Sequence, residues 1–97
     1  MDSELFWSRT NTDGTVSVGL TDAAFDIFGQ LWSIIPVNDR KRNYGVGETF
    51  VAVEGSDSLG TLEVPFNVKR LSFYGTALDR PDQLTSQSPL FFAELAA

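Results

Sequence analysis

The stretch from Glu48 to Val68, ETFVAVEGSDSLGTLEVPFNV, leaves this chain few folds to choose from. Phe50 to Val53 is a short apolar run, and beyond it Leu62, Val64, Phe66 and Val68 alternate with polar or ring-bearing neighbours. A period of two sends successive side chains to opposite faces of a strand, so both segments read as strands with one face toward a core. Between them Gly55-Ser56-Asp57-Ser58 and Gly60 supply turn chemistry, because Gly, Asp and Ser reverse a chain at little cost. The stretch is a β-hairpin with an exposed, acidic tip.

The rest of the chain fits around it. Leu5-Phe6-Trp7 is a strand candidate, Asn11-Thr12-Asp13-Gly14 a turn, and Val16, Val18 and Leu20 alternate in a half-buried strand, so the first twenty residues form another hairpin. Thr21 is placed to cap a helix, with the Asp22 carboxylate near its positive end. Ala24, Ile27, Phe28 and Leu31 share one face of a helix of about two turns, and Gly29 ends it in a left-handed conformation. A strand from Leu31 to Val37 follows, with Pro36 suited to a strand end. Residues 38–47 form a polar loop holding Arg40, Lys41 and Arg42 beside Tyr44, and Gly45-Val46-Gly47 reads as a hairpin turn. After Val68, Lys69-Arg70 interrupts the alternation before Leu71 and Phe73 resume it, which predicts a bulge carrying the strand from one sheet to another. Asp79-Arg80-Pro81-Asp82 opens a turn or helical piece, and Leu90 to Leu95 is a last strand in which Phe91 and Phe92 face opposite sides. Trp7 and Trp32 are expected to cover the core. The tally is about seven strands and one real helix.

Chemistry is bounded by what the chain lacks. Its 97 residues suit a single domain, 1–97. With no Cys and no His, thiolate nucleophiles, imidazole bases and the commonest metal ligands are absent. A net charge of −6 opposes binding to nucleic acid or anionic lipid. No run approaches the roughly 20 apolar residues of a membrane helix, and the opening Met1-Asp2-Ser3-Glu4 has no basic segment leading into an apolar one, so a cytoplasmic protein is expected. Glu54, Asp57 and Glu63 gather around the central turn, but solvated carboxylates are poor acid–base catalysts and form no EF-hand spacing. No catalytic residue and no metal site is expected.

The order of these parts resembles the H protein family of the glycine cleavage system. The strongest portion runs from Asp13 to Ala24, DGTVSVGLTDAA, similar to the family's DGTVTVGITDYA. Gly29, then Gly47-Glu48-Thr49-Phe50 against the family's GESF, Val53-Glu54, Pro65, then Leu78, Pro81 and Leu84, and Ser88-Pro89 agree in order. Of the family's H-E-W, only Trp7 is kept, and the family's C-terminal helix is not matched.

The resemblance implies a mostly β, lipoyl-domain-like barrel-sandwich hybrid of two small antiparallel sheets with one short helix. In that family the hairpin carries a lipoyl lysine in the pattern Glu, two residues, Lys, Ala. Glu54 fits the Glu, Asp57 stands at the lysine and Ser58 at the Ala, so no lipoyl cofactor is expected at the tip. The implied role is that of a non-catalytic protein-binding module, with lipoate ligase or glycine cleavage components as partners. Rival readings are a lipoyl carrier that uses Lys41 or Lys69, or an unrelated binding subunit on the same fold.

Overall fold

In the computed structural model, which describes residues 4–37 and 43–96, the chain folds into two antiparallel sheets. Strands β1 (Phe6–Thr10), β2 (Val16–Leu20), β6 (Val68–Phe73) and β7 (Pro89–Leu95) form one sheet in the order β1-β2-β7-β6. Strands β3 (Leu31–Pro36), β4 (Thr49–Gly55) and β5 (Leu59–Glu63) form the other in sequence order. Helix α1 (Asp22–Phe28) leads from the first sheet to the second. A one-turn helix, α2 (Gly75–Asp79), and a 3-10 turn (Pro81–Gln83) precede the last strand.

The sheets meet through aromatic rings. Phe50 on β4 packs edge-on against Phe91 of β7, 5.1 Å between centroids, and lies 5.9 Å from Phe6 of β1 and 5.9 Å from Phe73 of β6. One side chain of the smaller sheet thus touches three strands of the larger, and offset or edge contacts of this kind add to plain burial. Val18, Leu20, Val51, Val53, Leu62, Val64, Val68 and Leu90 complete the buried layer. The alternation of Leu62, Val64 and Val68 is therefore the sequence trace of this core.

Several expectations change in detail. Strand β2 is buried along its whole length rather than on one face, because its second face is also covered. Trp7 lies across Gly19, its register partner, and the Ser17 hydroxyl shares hydrogen bonds with Asn11 and the Tyr74 hydroxyl. Thr21 is the N-cap residue of the helix, but its side chain makes no capping bond. Its hydroxyl donates to the Glu4 carbonyl at 2.6 Å, tying β1 to the helix instead. On α1, Ala24 and Phe28 are buried while Ile27 is exposed, and Leu31 already belongs to β3. The bulge between Val68 and Arg70 is present, but the change of sheet comes earlier, across 64–67, where Pro65 interrupts the pairing.

Turns follow the sequence closely. Gly14 donates to the Asn11 carbonyl to close the first hairpin, and there the side-chain and backbone hydrogen bonds from Thr15 hold the Asp13 carboxyl below the usual carboxylate range. Glu48 donates to the Gly45 carbonyl across the Gly45-Val46-Gly47 turn. Tyr44 is buried and bridges to Val68. The basic triplet Arg40-Lys41-Arg42 lies outside the described residues. Phe91 faces the core, and Phe92 turns outward against Tyr74, 5.3 Å away.

Candidate functional site

The tip of the β4–β5 hairpin is held more firmly than an ordinary loop. Glu54 pairs with Leu59 and Val53 with Gly60, and the Gly55 amide donates to the Ser58 carbonyl at 2.9 Å to close the turn. The tip then docks onto the end of α1. The Asp57 amide donates to the Phe28 carbonyl at 2.9 Å and the Ser56 amide to the Gln30 carbonyl at 2.8 Å. The Gln30 amide returns a bond to the Ser56 hydroxyl at 3.0 Å. The last carbonyls of a helix have no partner within it, so the tip supplies donors that α1 lacks.

Two glycines make this approach possible. Gly29 adopts φ 74 and ψ −151, a region essentially reserved for glycine, and a Cβ there would also run into the Ser56 hydroxyl and the Asp57 carboxylate. It has the positive φ expected of a helix stop, although its ψ is extended rather than left-handed helical. Gly55 is buried, and a Cβ on it would strike the Phe28 carbonyl oxygen, a backbone atom that cannot rotate aside. Gly55→Ala is therefore expected to cost about 1–3 kcal/mol by overpacking. It should lower the urea midpoint and speed amide exchange at Asp57, whereas the exposed neighbour change Ser58→Ala should do neither.

The docked tip leaves its side chains accessible to solvent. Glu54, Asp57 and Ser58 are all exposed. The Ser56 hydroxyl donates a long hydrogen bond, 3.4 Å, to the Asp57 carboxylate. Glu63 does not join them: it pairs with Thr49 at the opposite end of the hairpin, roughly 15 Å away along five strand residues. The three carboxylates of the central stretch are thus not brought together. Among the described residues no group of three or more acidic side chains is close enough to hold a metal. Lys69 lies on β6 in the other sheet, beyond the base of the hairpin, and Lys41 falls outside the described residues. No helix among the described residues is long and apolar enough to cross a membrane.

Sequence reasoning missed the face beside the tip. Ser33 and Ile35 of β3, Ala52 and Glu54 of β4, and Leu59 and Thr61 of β5 line a shallow cavity of about 290 Å³ on the outer side of the three-stranded sheet. Trp32, expected to cover the core, is instead 57% exposed at the head of β3. A register irregularity between Leu31 and Ser33 is the cause, since it lets Leu31 and Ile34 both point inward and turns Trp32 out. The legible signal was Leu59, an aliphatic residue set between Ser58 and Gly60 in an otherwise polar turn.

Comparison with known proteins gives these parts a relation. No family model matches the chain. The glycine cleavage system H protein of Mycolicibacterium vanbaalenii is 31% identical over 83 residues, covering 86% of this chain and 62% of the relative. That of Paraburkholderia xenovorans is 26% identical over 80 residues, covering 82% of this chain and 63% of the relative. The chain therefore spans about three fifths of the length of the curated relatives it matches. The crystal structure of a glycine cleavage system H protein from Mycobacterium marinum superposes with a TM-score of 0.76 at 22% identity, covering 99% of this chain and 82% of that one. The two antiparallel sheets joined by one short helix are thus the fold of that protein, and the segment resemblances carried by Asp13–Ala24 and the later motifs extend to most of the chain. In sequence over most of its length, and in fold, this chain is similar to the glycine cleavage system H proteins at low identity.

Proposed function

We propose that this chain is a single H-protein-like lipoyl domain without a lipoylation site, a non-catalytic module that binds proteins of glycine cleavage or of lipoate attachment in the cytoplasm. The observation that carries this reading is the composition of the tip. Its exposed residues, Ser56, Asp57 and Ser58, include no primary amine. Joining lipoic acid to a side chain as an amide needs an amine nucleophile attacking an activated acyl group, and a carboxylate cannot form that bond. Asp57 follows Glu54 by three residues, the spacing at which the family carries its lysine, and Ser58 stands for the alanine. The intact docking of the tip on α1 supports a scaffold retained for recognition.

The carrier alternative draws little support from geometry. Lys69 leaves from a strand of the opposite sheet rather than from a tight exposed turn. The module works by occupying a surface that recognises this domain shape, without turning over a substrate. Partners are proteins rather than nucleic acid or membrane, in keeping with a net charge of −6.

Affinity capture of the tagged chain from its native cell, quantified by mass spectrometry, tests the binding role. Lipoate ligase or glycine cleavage components should be enriched over a capture with an unrelated domain of equal charge. Enrichment of neither would overturn the choice of partners.

A further inference from the structure

We infer that the outer face of the three-stranded sheet is a docking surface for a partner segment that combines apolar side chains with lysine or arginine. The inference rests on the reading of the chain as a binding module and names the surface and chemistry through which it binds.

Three large apolar side chains are turned to solvent on this sheet: Trp32 at 57%, Ile35 at 58% and Leu59 at 72% exposure. Ile35 and Leu59 flank the shallow cavity over Ala52, and Trp32 stands at the head of the same strand as Ile35. Pairing fixes this arrangement, since Ile35 lies opposite Ala52, Ala52 opposite Thr61, and Glu54 opposite Leu59. Scattered exposed apolar residues are ordinary, whereas Ile35 and Leu59 flank one cavity on the same sheet face, the arrangement of a contact surface. Aromatic and aliphatic anchors beside a pocket are the residues that carry binding energy at interfaces.

The charge around the face selects the partner. Glu54 lines the cavity, and Glu63 follows Thr61 on the outward parity of β5. Among the described residues no lysine or arginine lines the cavity. An apolar patch rimmed by carboxylates, on a chain of net charge −6, attracts a cationic segment and speeds its approach. A second copy of this chain is disfavoured by the same rim, because self-pairing through this face would bring Glu54 of each copy into one interface and join two like-charged bodies.

A random peptide library displayed on phage, selected on the immobilised wild-type chain and counter-selected on an Ile35→Ser/Leu59→Ser double variant, tests the inference. Both substituted residues are exposed, and a thermal melt confirms that the variant folds. The expected result is a consensus with at least two apolar residues and flanking Lys or Arg. A synthetic consensus peptide should bind the double variant at least about tenfold more weakly. Glu54→Gln should weaken binding further and reduce its dependence on salt, as removal of one charge from a screened pair requires. No enrichment, a consensus without basic residues, or equal binding by the double variant would overturn the inference. So would a wild-type dimer in sedimentation that the double variant abolishes, since the occupant would then be a second copy. The intact mass of the wild-type chain is read in parallel. A lipoyl adduct there rejects the reading of the module as non-lipoylated, whereas a failed selection on unmodified chain rejects the docking face alone.

Discussion

An Asp57→Lys variant, incubated with lipoic acid, ATP and a lipoate ligase, is expected to gain one lipoyl group, where the wild-type chain gains none. The argument is geometric before it is chemical. Asp57 is exposed, its amide is fixed to the Phe28 carbonyl at 2.9 Å, and the turn is closed by the Gly55–Ser58 bond. None of these bonds uses a side-chain atom of residue 57 as an essential partner. A lysine there inherits a preset backbone and projects its amine into solvent, with Glu54 still three residues upstream. The substitution changes only the nucleophile, from a carboxylate that cannot form the amide to an amine that can. Adding Gly55→Ala to the variant should lower the extent of modification, because the collision with Phe28 disturbs the presentation of the turn. A failure of Asp57→Lys to be modified, with the fold intact by circular dichroism, would mean that the ligase needs features beyond the tip.

The second large effect concerns the core. Phe50→Ala removes the one ring of the three-stranded sheet that touches Phe6, Phe73 and Phe91 of the other. Truncating a buried Phe typically costs about 3–5 kcal/mol, against a total stability of about 5–15 kcal/mol for a domain. For a chain of this size each kcal/mol shifts the midpoint by roughly 4–8 °C, so a fall of about 12 °C or more is expected in a thermal melt. Phe50→Leu keeps most of the volume and should recover part of the loss. The exposed Phe92→Ala, which touches Tyr74 at the surface, should cost far less. Equal effects at Phe50 and Phe92 would contradict the placement of the core between the sheets.

The comparison of these two sites shows what the amino-acid order makes legible. Core strands announce themselves because burial of one face forces a period of two, as at Leu62, Val64 and Val68, and because Gly and Asp mark the turns. The hairpin and its acidic tip were readable on those grounds. The docking of the tip on α1 was not, since it is made mainly of backbone bonds between residues nearly thirty positions apart, to which side-chain pattern is blind. Gly29 and Gly55 carry that contact, yet in sequence each reads only as a helix stop or a turn residue. The outward turn of Trp32 is hidden from the sequence for a related reason. A one-residue irregularity at the head of β3 changes the parity there, so that Leu31 and Ile34 both turn inward and Trp32 turns out. Thr21 likewise has the residue type of a helix cap and the position of one, but the Glu4 carbonyl competes successfully for its hydroxyl.

Seen this way, the tip is a rigid platform rather than a loose acidic loop. Its backbone is fixed by α1, its side chains face solvent, and an apolar face with an acidic rim adjoins it. A carrier needs a reactive amine at such a place, and a binding module does not.

The most direct measurement is the intact mass of the wild-type chain, purified after co-expression with a lipoate ligase in medium supplied with lipoic acid. The unmodified mass is expected, with no lipoyl adduct, while a glycine cleavage system H protein treated in parallel is modified to completion. A lipoyl adduct on the wild-type chain, mapped by peptide fragmentation to Lys41 or Lys69, would contradict the account.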